Sequence, residues 1–177
     1  MKDISMHIMD ILQNSTRAGA KTVELDLYID TKKDTLTIIF KDDGCGMDEA
    51  TMAKALNPFF TTRTTRDVGL GLSLLKQNAE LAGGTLSMTS APGVGTTVTA
   101  VMGYSHIDRQ PLGDIAGTVV LTASAYPDIR FIFHFRKDEI DYTFDTQEIN
   151  EALDGLSIQQ PEIIQYLREM VEENIKM

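Results

Sequence analysis

The sequence predicts an α/β (α+β) protein. Its expected form is a two-layer sandwich, with a mixed four-stranded sheet covered on one face by helices and a small α+β extension at the C-terminal end. Three observations predict it. Apolar residues recur at helical spacing in two separated segments. Strict apolar–polar alternation marks two pairs of strands. Glycines stand where one period gives way to the next.

In Ile4 to Ala20, residues Ile4, Ile8, Ile11, Leu12 and Ala18 share one helix face, and Gly19 and Ala20 close it. Val23, Leu25, Leu27 and Ile29 alternate with Glu24, Asp26 and Tyr28, which is a strand with one wet face. After the polar turn 30–34, Leu36, Ile38 and Phe40 alternate again and complete a hairpin. Asp42-Asp43-Gly44-Cys45-Gly46 breaks that strand, and Asp48 is placed to cap a short helix from Glu49 to Leu56. Residues 57–67 have no period and read as a loop. Gly69-Leu70-Gly71 opens a second long helix that Gly83-Gly84 stops. Strands are expected over 85–90 and 96–102, joined by a Pro-Gly turn.

Residues 104–117, with Pro111, Gly113 and Gly117, read as a linker between a unit of residues 1–103 and a smaller unit of residues 118–177. In the smaller unit, Val119 and Leu121 are expected on a strand, Phe131, Phe133 and Phe135 on a second, and Tyr142 and Phe144 on a third. Helices are expected over 148–153 and 161–175.

The chain of 177 residues carries 16 Lys and Arg against 26 Asp and Glu, a formal charge of −10. That balance works against binding nucleic acid or anionic lipid. No apolar run approaches the ~20 residues of a membrane span. The first residues lack the apolar stretch of a signal peptide, so a cytoplasmic protein is expected. One cysteine, Cys45, allows neither an internal disulfide nor a Cys-based zinc cage.

Four clusters carry chemistry. Asp10 and Asn14 are four residues apart and share a helix face. An Asn oxygen suits Mg²⁺, which takes few protein ligands and completes its shell with phosphate, and an acid one turn away can orient a water or hydroxyl. The plain alternative is a solvent-facing pair. Asp42 to Met47 follows a strand directly. Its two glycines, Gly44 and Gly46, allow close approach of a flat ring, and Asp42 can accept from an exocyclic amine such as that of adenine. The alternative is a common Gly-rich turn; a calcium loop is disfavoured because its later acidic ligands are missing. In the third cluster, Thr61, Thr62, Arg63 and Arg66 precede a helix start at Gly69-Leu70-Gly71-Leu72, an arrangement suited to phosphate. The alternative is a mobile surface loop. The fourth cluster is Gly93-Val94-Gly95-Thr96, where Thr96 can add a hydroxyl beside Asp42, or which is simply a hairpin turn.

Together and in this order the clusters resemble the ATP-binding fold shared by gyrase, Hsp90-type chaperones, histidine kinases and MutL-type proteins, the GHKL or Bergerat fold. The resemblance covers about residues 1–103. It implies that Asn14 binds Mg²⁺ and that Asp42, with Gly44, Gly46 and Met47, binds the adenine. It also implies that Thr61, Thr62, Arg63, Arg66, Gly69, Leu70, Gly71 and Leu72 surround the phosphates, and that Thr96 joins Asp42. Asp10 stands where the family usually has Glu, and Asp67 where it has a glycine. The short lid is more similar to an anti-sigma-factor kinase or compact histidine kinase than to gyrase. The run Ser105 to Asp114 is similar to stand-alone ATP-binding proteins encoded near iron-only hydrogenase subunits.

The resemblance implies ATP and Mg²⁺ as cofactors. The expected activity is that of an ATPase or protein kinase that passes the γ-phosphoryl to a protein partner or to water. The alternative is an ATP-dependent switch with little turnover. A partner protein or phosphoacceptor, and a homodimer, are the expected associations. No phosphoacceptor hairpin is expected, and His7, His106 and His134 lack the context of an acceptor. His7 is expected at the surface or as a cap.

Overall fold

The computed structural model describes residues 2–57 and 71–176. Helix α1 (Ile4–Arg17) is followed by strands β1 (Thr22–Asp30) and β2 (Thr35–Asp42), then helices α2 (Glu49–Ala55) and α3 (Gly71–Leu81). Strands β3 (Thr85–Ala91) and β4 (Gly95–Gly103) precede α4 (Ile115–Ala125). Strands β5 (Arg130–Lys137) and β6 (Ile140–Asp145) and helices α5 (Thr146–Leu153) and α6 (Pro161–Asn174) complete the chain.

The strands form one sheet in the order β3-β4-β2-β1-β5-β6. All neighbours are antiparallel except β1 and β5, which pair parallel with Leu25 opposite Phe133. The sheet is therefore six-stranded, not four-stranded. The two C-terminal strands continue it beside β1. The parallel pairing is possible because α4 supplies the long crossover that parallel strands require.

Side chains alternate across the sheet as the pattern predicts. Val23, Leu25, Leu27 and Ile29 of β1 and Leu36, Ile38 and Phe40 of β2 are buried under the helices. Phe131, Phe133 and Phe135 of β5 join the same core, each at most 1% exposed. Each ring contributes about 2–3 kcal/mol to the fold by leaving water. The opposite face of the sheet carries Glu24, Asp26, Tyr28, Thr37, Lys41, Thr99 and Arg136. His134 lies on that face, half-buried between Tyr28 and Asp141.

Val119 and Leu121 lie on α4, not on a strand. Eight residues of α4 are buried, from Ile115 to Ser124, so this helix has no polar face and shows no 3.6-residue period. Its start is marked by Asp114, whose side chain accepts from Gly117 N. The expected linker 104–117 thus runs into the first turn of α4. Among the described residues no helix is long and apolar enough to cross a membrane.

Candidate functional site

At the end of the sheet where β2 stops and β4 begins, the second half of α1 and the first turn of α3 leave a cavity of about 230 Å³. Ile11, Phe40, Leu72 and Val98 give it apolar walls, and Asn14, Ser15, Asp42 and Thr96 bring polar atoms to it. A small apolar chamber with a few converging polar groups has the character of a ligand site.

Asp42, the last residue of β2, is the fixed acceptor. Its Oδ2 accepts from Ser15 Oγ at 2.7 Å, and its Oδ1 accepts from Gly44 N at 2.9 Å. Both oxygens keep lone pairs for a further donor. The β2–β4 register sets Thr96 opposite Asp42. Thr96 Oγ1 lies 2.7 Å from Ser90 Oγ, which also accepts from Met47 N at 2.8 Å. Ser90 therefore ties β3, β4 and the turn after β2 together.

That turn is anchored on both sides. Cys45 N donates to Ala18 O at 2.9 Å, and Gly93 N donates to Cys45 O at 2.7 Å. Asp43 Oδ1 accepts from Thr22 N and Lys21 N, and these amides hold its carboxyl below the usual range. At Gly46 the backbone has φ +71°, and a Cβ there would stand 2.0 Å from Ala91 O. The glycine is demanded by packing against β3, a reason independent of any ligand.

Asp10 and Asn14 project from one face of α1, as their spacing predicts. They meet different environments. Asp10 Oδ2 accepts from Gly71 N at 3.0 Å and so satisfies a free amide at the start of α3. The amide of Gly71, expected to face an anion, is taken by this carboxylate. A Cβ on Gly71 would come within 2.3 Å of Asp10 Oδ2. Asn14 has no such partner. Its Oδ1 and Nδ2 are buried and make no hydrogen bond among the described residues. Buried amides are almost always satisfied, so an orphaned one lining a cavity points to a ligand that completes it.

The structure therefore brings Asp10, Asn14, Asp42, Gly44, Gly46, Met47, Gly71, Leu72 and Thr96 to one end of the sheet. Thr61, Thr62, Arg63, Arg66, Gly69 and Leu70 lie outside the described residues. Ser15 and Ser90 are site residues that the sequence reading missed. Their partners are 27 and 43 residues away, so no local pattern signals them. His7 is buried, contrary to the expectation of a surface or capping residue.

Residues 2–105 match the family described as histidine kinase-, DNA gyrase B-, and HSP90-like ATPases. The chain belongs to this family. Among curated relatives of this ATPase family, it is 36% identical over 95 residues to the sensor protein kinase FleS of Pseudomonas aeruginosa, covering 54% of this chain and 23% of that protein. It is 30% identical over 94 residues to the sensor histidine kinase YvrG of Bacillus subtilis, covering 51% of this chain and 16% of that protein. The chain thus spans less than a quarter of the length of either relative.

Among solved structures, the Aquifex aeolicus MutL ATPase domain complexed with ADP superimposes with a TM-score of 0.50 at 12% identity, over 100% of this chain and 70% of that one. The N-terminal domain of a DNA repair protein gives 0.53 at 17% identity, over 82% and 52%. These two likenesses establish the shared GHKL fold, and the first extends through the C-terminal strands and helices.

Proposed function

We propose that this protein binds Mg-ATP in the cavity between α1, α3 and the end of the sheet. On this reading it works as an ATPase or protein kinase of the histidine-kinase or anti-sigma-factor-kinase type. Asn14 carries the reading. Its buried amide, unpartnered among the described residues, lies in the same cavity as a carboxylate whose two oxygens are already oriented. Membership of an ATPase family supports Mg-ATP as the ligand that would satisfy both. Asp42 accepts from the adenine amine, and Thr96 stands beside it.

Among the described residues no group of three or more His, Cys, Asp or Glu could hold a metal. This suits Mg²⁺ bound mainly through phosphate oxygens, with Asn14 as its protein ligand. When bound, the ion neutralises charge on the phosphates. Arg63, Arg66 and the amide of Gly69 are assigned to the phosphates on the sequence pattern alone. Asp10 keeps Oδ1 to orient the acceptor hydroxyl, imidazole or water and to take its proton. We take the partners to be ATP or ADP and a protein phosphoacceptor in the cytoplasm, without nucleic acid or membrane.

The Asp10–Gly71 bond favours a second reading, a nucleotide-dependent switch with little turnover. One oxygen of the acid is committed to capping α3. An assay with γ-labelled ATP separates the two. Steady phosphate release or a labelled partner supports the enzyme. Nucleotide binding without either supports the switch, and absence of nucleotide binding by the folded protein removes both.

A further inference from the structure

His7 is 0% exposed, and its Nδ1 has no hydrogen-bond partner among the described residues. The nucleotide chemistry makes no use of it. It sits one turn before Asp10 on α1. Its Nε2 lies 2.8 Å from Gln110 Oε1 and 3.3 Å from Asn78 Nδ2. With Nε2 protonated, the ring donates to Gln110, and Asn78 Nδ2 donates to Leu74 O at 2.9 Å. The imidazole is thus the meeting point of α1, α3 and the segment 104–114.

That segment is fastened to α1 independently. Ile4 N donates to Pro111 O and Ser5 N to Leu112 O, both at 2.9 Å. These are first-turn amides that no carbonyl of the helix can reach. Gly113 fits against them at φ +77°, where a Cβ would stand 2.5 Å from Ser5 Oγ. The segment then enters α4 at Asp114, which Arg168 of α6 holds at 2.8 Å. A chain of direct contacts therefore runs from α6 through 104–114 to His7, one turn from the acid that caps α3.

We propose that His7 is a positioning residue. It holds α1 and α3 in the relation that lets Asp10 cap α3, and it ties that relation to segment 104–114 and the C-terminal helices. Packing alone would be served better by leucine, because a buried imidazole gives up hydration that an alkyl group never had. The polar ring is explained by its bond to Gln110 on segment 104–114, made where Asn78 of α3 approaches the same nitrogen to 3.3 Å. The functional meaning of this role rests on the nucleotide reading above; the mechanical role does not.

The test uses the full chain with His7→Leu and His7→Gln. Glutamine can present a nitrogen near the place of Nε2, whereas leucine fills the space without it. Two quantities are read. One is hydrogen exchange without nucleotide at the amides of Gly71, held by Asp10, and Leu75, the first to bond within α3. The other is ADP affinity by calorimetry. His7→Leu should speed exchange at both amides about tenfold and weaken ADP, and His7→Gln should restore both to within about threefold. Equal behaviour of the two variants, or wild-type exchange in His7→Leu, overturns the proposal. Should His7→Leu not fold, Gln110→Leu removes the same bond from the other side. Tenfold faster exchange supports the proposal and unchanged exchange overturns it. Wild-type protein that binds no ADP overturns the nucleotide reading, and exchange still decides the role of His7.

Discussion

Replacing Asp42 by asparagine tests the site through one atom. The outcome follows from the hydrogen bonds around the carboxylate. Gly44 N is a donor, so the side-chain oxygen of an Asn must stay where Oδ1 is now. The new NH₂ group must then replace Oδ2, beside Ser15 Oγ. The serine hydroxyl can turn to accept from it, so the free protein loses little, under about 1 kcal/mol. The cavity loses its acceptor and gains a donor facing the adenine amine. A lost charge-assisted bond together with two opposed donors costs about 3 kcal/mol, or about a hundredfold in Kd. Calorimetry with ADP, beside a thermal melt of the same sample, reads both quantities. An unchanged Kd in a variant that melts with the wild type would refute the assignment of Asp42 to the purine.

Asn14→Ala should separate stability from binding. Removing a buried amide that has no partner among the described residues should raise the stability of the nucleotide-free protein by up to about 1 kcal/mol, while Mg²⁺-dependent nucleotide affinity is lost; parallel melts and titrations check it. Gly46→Ala should destabilise the fold by about 2 kcal/mol or more. Its Cβ would collide with Ala91 O at 2.0 Å from a left-handed backbone, and a denaturant curve measures the loss. Burial pushes the pKa of His7 below its usual 6.5, against the bond it donates to Gln110, which raises it. The folded protein therefore resists a proton that the unfolded chain accepts. The stability tied to this group is complete above about pH 6.5 and is lost as pH falls through the folded pKa. Wild type minus His7→Leu should show that loss as pH falls below about 6.5. A flat difference would contradict the burial of a titrating ring.

Much of the proposed nucleotide site was legible because its residues lie in short runs. Asp10 and Asn14 share a helix face by spacing alone, and Asp42 stands at the end of an alternating strand. Ser15 and Ser90 were not legible because each acts on a partner in another element. The fold of residues 2–103 was readable for the same reason, as its periods are clean. α4 was misread because a helix with apolar residues on every face gives an apolar run that a strand also gives. Its capping Asp114 was the available signal. The two extra strands were recognised as strands, but nothing in their local pattern says which neighbour they pair with. The parallel match of β5 to β1 spans more than 100 residues of sequence. His7 was misplaced because a lone histidine on an otherwise apolar helix face has no local mark of the partners it will meet.

The parallel seam between β1 and β5 bears on where this protein can be cut. Trimming the chain at residue 105, where the family likeness ends, would strip β1 of its neighbour from Thr22 to Ile29. Backbone donors and acceptors along that strand would lie bare, next to Leu25 and Leu27 uncovered by the loss of Phe133 and Phe135. A naked, flat, greasy border of this kind recruits other chains. The fragment that looks most like a self-sufficient module should therefore clump in solution, and the 60-odd residues after α4 begins serve as its selvedge.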